Sequence, residues 1–364
     1  MTPLRTAIVG SGFVARVHAA AVRDLGGTVV AVCSRTRAGA QQLADELGGM
    51  AAHDSLAELL GAEAVDVVHV CTPNALHAEQ TLLALEHGAH VVCEKPLATS
   101  TEESRRMLAA LADADRVGAV AYHVRGYPLV EHMRATIAEG ELGELRVVHG
   151  RYVCDDALVV SEGWRLLPES SGPTYVTADL GAHWFDLAEH VTGSRISEVL
   201  ADFRTLVPGR ALEDHASLLL RFDNGATGSA QFSALGPGHK NQLLFEVEGS
   251  RGGFTWDQES PDELLHRHAE EPTQIVVKDP GANAGRAAKI ARYPPGHVEG
   301  YGDAIPDDPA RRLPGDGRAS TGPVSDFRGR PPRHAGARGD AAQRDRRRLG
   351  PSRELGHCPA RDQA

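Results

Sequence analysis

The amino-acid sequence predicts an α/β chain built in two parts, and three observations carry the prediction. Short β-branched runs alternate with amphipathic stretches through residues 1–122, the pattern of βαβ units and a doubly wound parallel sheet. From 123 to 304 the texture changes, and long strand candidates follow one another without helices between them. That pattern predicts an α+β domain with an open, largely antiparallel sheet. Beyond that point large apolar residues thin out, and 306–364 hold 13 Arg and no Lys, with 8 Pro and 8 Gly. Such a segment buries too little surface to offset its chain entropy, so a disordered tail is expected over 305–364.

The elements follow in order. TAIV (6–9), TVVAVC (28–33), VDVVHVC (65–71), HVVC (90–93) and GAVAY (118–122) are the strand candidates of the first part. VARVHAAAVRDL, AGAQQLADELG, ALHAEQTLLALEHG and TEESRRMLAALADA lie between them with apolar residues at helical spacing. Gly26, Gly48 and Gly88 follow three of these helices, where left-handed backbone ends a helix at no steric cost. In the second part YPLVEHMRATIAEG predicts a helix, ELRVVHGRYV a strand and ADLGAHWFDLAEHVTG another helix. Strands are expected near 195–207, 214–222, 226–234 and 241–249, and FDNGA is a hairpin turn between two of them.

Composition narrows the function classes. Lys and Arg number 38 against 49 Asp and Glu, a net charge of −11, and aromatics are 5%. An acidic, aromatic-poor chain does not fit a nucleic-acid or anionic-membrane binder. No run approaches the roughly 18 apolar residues of a membrane helix, and MTPLRTAIVG lacks the apolar core of a signal peptide, so a cytoplasmic location is expected. Five cysteines (Cys33, Cys71, Cys93, Cys154, Cys358) lack CxxC spacing and read as reduced thiols. The 18 histidines include no pair of zinc-type pairs, and no metal is expected.

The first strand runs into Gly10-Ser11-Gly12-Phe13-Val14-Ala15, a G-x-G-x-x-A fingerprint opening a helix. Gly10 permits the tight turn, Gly12 lets backbone approach a pyrophosphate, and Ala15 allows close helix–sheet packing. The N–H groups of Gly12, Phe13 and Val14 start the helix whose positive end favours phosphate. This is the Rossmann dinucleotide-binding arrangement. The second strand ends in Ser34-Arg35-Thr36, without the carboxylate that usually receives the ribose hydroxyls of NAD. Arg35, with donors from Ser34 and Thr36, suits a 2′-phosphate, so NADP is expected over NAD. Two further strands end in Cys71-Thr72-Pro73-Asn74-Ala75-Leu76-His77 and Glu94-Lys95-Pro96, at the crevice edge where Lys95 projects toward the nicotinamide end.

Together with Asp179-x-Gly181-x-His183-x-x-Asp186, these motifs resemble the glucose–fructose oxidoreductase/inositol dehydrogenase/MocA family over roughly residues 5–304. The resemblance implies an NAD(P)-dependent oxidoreductase acting on a secondary alcohol or ketone of a sugar, cyclitol or related polyol. It implies a homo-oligomer associating through the second sheet. By motif, Gly10, Gly12, Phe13, Val14, Ser34, Arg35, Thr36, Cys71, Thr72, Pro73, Asn74, His77, Glu94 and Lys95 are the cofactor-binding set. Lys95, Asp179 and His183 become the catalytic residues, with Asp179 and His183 expected on one helix face and the carboxylate orienting the charged ring. Trp164, Arg165 and His297 become substrate candidates. SSGPTYVTADLG and Asp155-Asp156 depart from the family pattern beside the substrate site. Two alternatives share the fold: a redox-assisted glycosidase that regenerates its bound cofactor, and a non-catalytic NADP- or sugar-sensing regulator. The resemblance stops after GHVEGYGDA, and the Arg/Pro/Gly/Ala excess beyond it matches GC-rich coding DNA read in the wrong frame. Residues from Ile305 onward are therefore expected to be out of frame.

Overall fold

Strands that are apolar throughout call for cover on both faces. β1 (Arg5–Val9), β2 (Thr28–Cys33), β3 (Ala51–His53), β4 (Val67–Val70), β5 (His90–Cys93) and β6 (Gly118–Val120) pair in parallel, in the order β6-β5-β4-β1-β2-β3. The computed structural model describes residues 2–304 and the pair Ser325–Asp326, which adds a short antiparallel edge to β6. Apart from that pair, the segment 305–364 for which disorder and a shifted frame are expected, Cys358 included, lies outside the described residues. The crossovers are α1 (Phe13–Asp24), α2 (Arg37–Glu46), α3 (Leu56–Ala62), α4 (His77–Glu86) and α5 (Thr101–Ala114). Side-chain oxygens of Thr36, Ser55 and Ser100 cap α2, α3 and α5 by accepting the N–H three residues on. Gly26, Gly48 and Gly88 have the positive φ expected of helix ends. β3 was not among the expected strands, because Ala-Ala-His offers no β-branched residue.

Strand order reverses between β1 and β4, and this switch point opens the crevice at the strands' carboxyl ends. Gly10 N–H bonds Cys33 O at 2.7 Å and Cys71 N–H bonds Val9 O at 2.7 Å, which locks the loops around that crevice.

The second part contains α6 (Pro128–Ala138), β7 (Leu145–Val153), α7 (Asp156–Val159), α8 (Pro168–Ser171) and α9 (Ala182–Thr192). After them come β8 (Ile196–Arg204), β9 (His215–Phe222), β10 (Thr227–Ser233), β11 (Gln242–Gly249), β12 (Gly252–Asp257), β13 (Glu263–His268), β14 (Gln274–Val277) and α10 (Ala287–Ile290). The sheet order is β14-β13-β12-β11-β7-β10-β9-β8, antiparallel except for the β7–β10 pair. Burial alternates along β9, β10 and β11, so one face meets α9 and the core while the other stays open. Trp184, Phe232, Phe245, Phe254 and Trp256 fill that core. Edge strand β8 is exposed over nearly its whole length. No helix among the described residues is long and apolar enough to cross a membrane, and no cluster there has the ligands for a metal ion.

Candidate active site

Lys95 follows β5, and its ammonium reaches into the second part of the chain. Nζ donates to Asp179 Oδ1 at 2.6 Å and to the Asp179 backbone oxygen at 2.9 Å. Arg165 Nε lies 3.2 Å from Asp179 Oδ2, and its guanidinium stacks over the Trp164 ring at 4.5 Å. Asp179 is therefore a carboxylate held between two cations. Burial works to raise its pKa, but Lys95 and Arg165 outweigh that and hold it at about 2.

Asp179 sits in a π turn, Thr177–Gly181, immediately before α9. Gly181 is the residue on which α9 meets the sheet, since a Cβ there would lie 2.8 Å from the Phe232 ring. One turn on, His183 is buried with no hydrogen-bond partner at Nδ1. The His123 ring meets it edge-on at 4.7 Å, with Tyr152 and Tyr122 at 6.0 and 6.1 Å. Burial, reinforced by Lys95 and His123, pushes His183 well below 6.5, so the ring is neutral. This corrects the expectation that Asp179 stabilises a charged His183: both carboxylate oxygens are engaged by Lys95 and Arg165, and the π turn breaks the simple i, i+4 geometry.

The cofactor half is set by backbone. Gly10 has φ +118°, and a Cβ there would collide with the Cys71 carbonyl, whereas a Cβ on Gly12 would meet nothing within 4 Å. The space over Gly12 and the start of α1 is thus free to take a phosphate. Ser34 Oγ lies 2.8 Å from Ser11 Oγ, and Arg35 is exposed beside them. Phe13, also exposed, stacks on Tyr301 with centroids 6.1 Å apart.

Three of the expected cofactor residues face inward instead. His77 is fully buried, with ring nitrogens 2.8 Å from Pro96 O and 2.9 Å from Thr72 O, and so ties two crevice loops together. Asn74 donates to Ser171 O at 3.0 Å, holding the loop that leads to Asp179. Glu94 accepts from Lys95 N–H at 3.2 Å and lies 3.0 Å from His18 Nε2, while His18 Nδ1 lies 2.9 Å from His69 Nδ1. Burial disfavours a charged His18, but Cys71 and Glu94 outweigh it and raise the ring to about 10. Glu94 is thereby a buried counter-charge behind Lys95. His297 is exposed, its Nδ1 3.2 Å from Pro295 O, and is not brought into the cluster. Asp155 pairs with Lys240 at 2.5 Å.

Several site residues carried no sequence signal strong enough to select them. His123 lies in the turn after β6, and its ring is 4.6 Å from Tyr301. Arg125 in the same turn donates from Nε to Asp186 Oδ2 at 2.7 Å, which anchors α9 through the last residue of the D-x-G-x-H-x-x-D motif. The strand-end position of AYHVR was the available clue.

Residues 4–122 match the family described as "Oxidoreductase family, NAD-binding Rossmann fold", and residues 130–255 match the GFO/IDH/MocA C-terminal domain. The 1,5-anhydro-D-fructose reductase of Ensifer adhaerens is 33% identical over 308 residues, covering 82% of this chain and 89% of that protein. The levoglucosan dehydrogenase of Pseudarthrobacter phenanthrenivorans is 32% identical over 225 residues, which span 55% of this chain and 57% of the relative's length. The solved inositol dehydrogenase homolog from Azotobacter vinelandii, complexed with NAD+, superposes with a TM-score of 0.78 at 32% identity, covering 83% of each chain. Fold, fingerprint and relatives agree, and the chain belongs to the Gfo/Idh/MocA oxidoreductase family.

Proposed function

We propose that this chain is an NADP-preferring oxidoreductase that moves hydride between nicotinamide and a secondary alcohol or ketone of a sugar, cyclitol or related polyol. The observation that carries the reading is the 2.6 Å contact of Lys95 Nζ, just after β5, with Asp179 Oδ1, together with a neutral, buried His183 one turn on from Asp179. The residues present fit a dinucleotide: the open space over Gly12, the turn at Gly10 and the start of α1 would hold its pyrophosphate, and Ser34 and Arg35 its ribose end. When bound, that group supplies the hydride acceptor or donor. Lys95 then points its positive charge at the reacting oxygen and stabilises the negative charge that grows there as the alcohol is oxidised. Neutral His183 takes the hydroxyl proton on a ring nitrogen, and in the reverse direction returns it. Asp179 fixes where the ammonium sits, and Arg165, stacked on Trp164, fixes Asp179.

The division at residue 122 into a cofactor-binding and a substrate-binding part belongs to the same reading, as does a cytoplasmic location. So does self-association through the open face of the second sheet, supported by exposed Leu200 and Leu219, which lie opposite each other across β8 and β9 on that face. Lys95→Ala tests the mechanism. It is expected to keep binding NADP, whose pyrophosphate and ribose end rest on Gly10, Gly12, Ser34 and Arg35, and to lose about 100-fold or more in kcat on whichever polyol the wild type accepts. Normal turnover by the variant would refute the assignment.

A further inference from the structure

We propose that Glu213 is a positioning residue for the proton-handling cluster: its carboxylate grips the backbone of the turn that keeps Asp179 against Lys95. The proposal rests on the reading of Lys95, Asp179 and His183 as the reacting groups. Glu213 lies just before β9, is 6% exposed, and bridges two amides of the approach to α9. Oε2 accepts the Tyr175 N–H at 2.8 Å and Oε1 accepts the Thr177 N–H at 2.9 Å, across 38 and 36 residues of sequence.

Those amides open the helical segment and have no carbonyl one turn earlier to receive them. No local side chain caps the turn at Val176. A carboxylate from another element does so instead, and a negative charge is favoured at a helix start. With the Tyr175 N–H secured, Tyr175 O accepts the Asp179 N–H at 2.8 Å, so the grip is one turn from the reacting carboxylate. A π turn is rarely stable on its own, and this one needs an external hold. The loop is pinned at its other end by Asn74 on Ser171 O. Asp214, next in sequence and fully buried, performs the same chemistry elsewhere, accepting the Leu206 and Val207 N–H groups at 2.8 Å each. It therefore serves as a matched control.

The test compares Glu213→Gln, Glu213→Ala and Asp214→Asn with wild type. A Gln retains one acceptor and turns an amide NH2 toward the second N–H, so kcat is expected to fall about 10-fold, and about 100-fold for Ala. NADP affinity is expected to stay within about 2-fold of wild type, because the Gly10–Val14 region is untouched. The acid limb of kcat is expected to move to higher pH in both Glu213 variants, since Asp179 loses the nearness to Lys95 and Arg165 that holds it down. Hydrogen exchange at the amides of 175–179 is expected to accelerate in the Glu213 variants and not in Asp214→Asn. If the Glu213 variants lose only thermal stability, as Asp214→Asn would, and keep wild-type exchange at 175–179, the proposal is overturned. Exchange needs no substrate: a wild type inert on every polyol would sink the oxidoreductase reading, while Glu213 would still stand or fall on those amides.

Discussion

Replacing Asp179 with Asn removes the negative charge between Lys95 and Arg165 and changes little else in shape. In the folded chain the carboxyl is held at about 2 against an ordinary 3.8, by cations that overcome the effect of burial. At about 1.4 kcal/mol per pH unit, that difference corresponds to about 2 kcal/mol of stability near neutral pH. Because the folded pKa is the lower one, the unfolded chain takes up the proton first. The contribution is complete above about pH 4 and disappears as pH falls through about 2. Linkage then requires about 1 kcal/mol to be gone by about pH 3. The variant also takes from Lys95 its directly bonded counter-charge and leaves only Glu94 behind it, so the loss at pH 7 is expected at about 2–4 kcal/mol. Urea unfolding of wild type and Asp179→Asn at a series of pH values measures both quantities. The gap between them is expected to be widest at pH 6–7 and to narrow by about 1 kcal/mol at pH 3. Equal stability at pH 7, or a gap that does not change with pH, would show that the ion pair does not hold this site together.

Three further outcomes follow from the geometry. Arg35→Asp is expected to turn a preference for NADP into one for NAD, read from the ratio of dissociation constants; a wild type that already favours NAD, or an unchanged ratio, contradicts the role given to Ser34-Arg35-Thr36. Gly10→Ala forces a Cβ into the Cys71 carbonyl at φ +118°, which is expected to cost about 1–3 kcal/mol and to abolish the thermal shift produced by NADP; a normal shift would show that the loop is not the phosphate site. His183 is held neutral far below 6.5 by burial, Lys95 and His123, so kcat/KM for alcohol oxidation is expected to show no loss from this ring between pH 8 and 6. A limb near 6.5 that vanishes in His183→Ala would overturn that assignment.

Much of the fold was legible because its signals are local. TVVAVC and HVVC became β2 and β5 at their expected bounds, and FDNGA turned between β9 and β10 with φ +91° at Gly225. The strands passed over, β3 and β12 to β14, are short, and several lack β-branched runs: Ala-Ala-His and Glu-Leu-Leu-His-Arg-His become strands through their neighbours in the sheet. The parallel β7–β10 pair is equally invisible to a reading that follows strands one by one. The family resemblance was carried by Gly10, Gly12, Lys95, Asp179 and His183, whose spacing along the chain survives in the motifs.

What spacing could not supply is who faces whom. Counting Asp179 and His183 as i and i+4 joined the carboxylate to the wrong partner, because the count assumes an α-helical turn where the backbone makes a wider one. His77 and Asn74 sit in a crevice motif, yet the His77 ring and the Asn74 amide nitrogen are directed at carbonyls inside the protein. Burying such groups without partners costs more than a ligand contact returns, so a polar residue near a site goes first to whatever orphaned backbone lies closest. The same rule explains why Glu213 gave no warning: its partners lie 36 and 38 residues upstream and are backbone amides, which every residue except proline possesses. A motif records the groups that must touch the ligand. The groups that hold those in place are recorded only in the three-dimensional accounting of buried donors and acceptors, and here that accounting leads from Lys95 through Asp179 to Glu213.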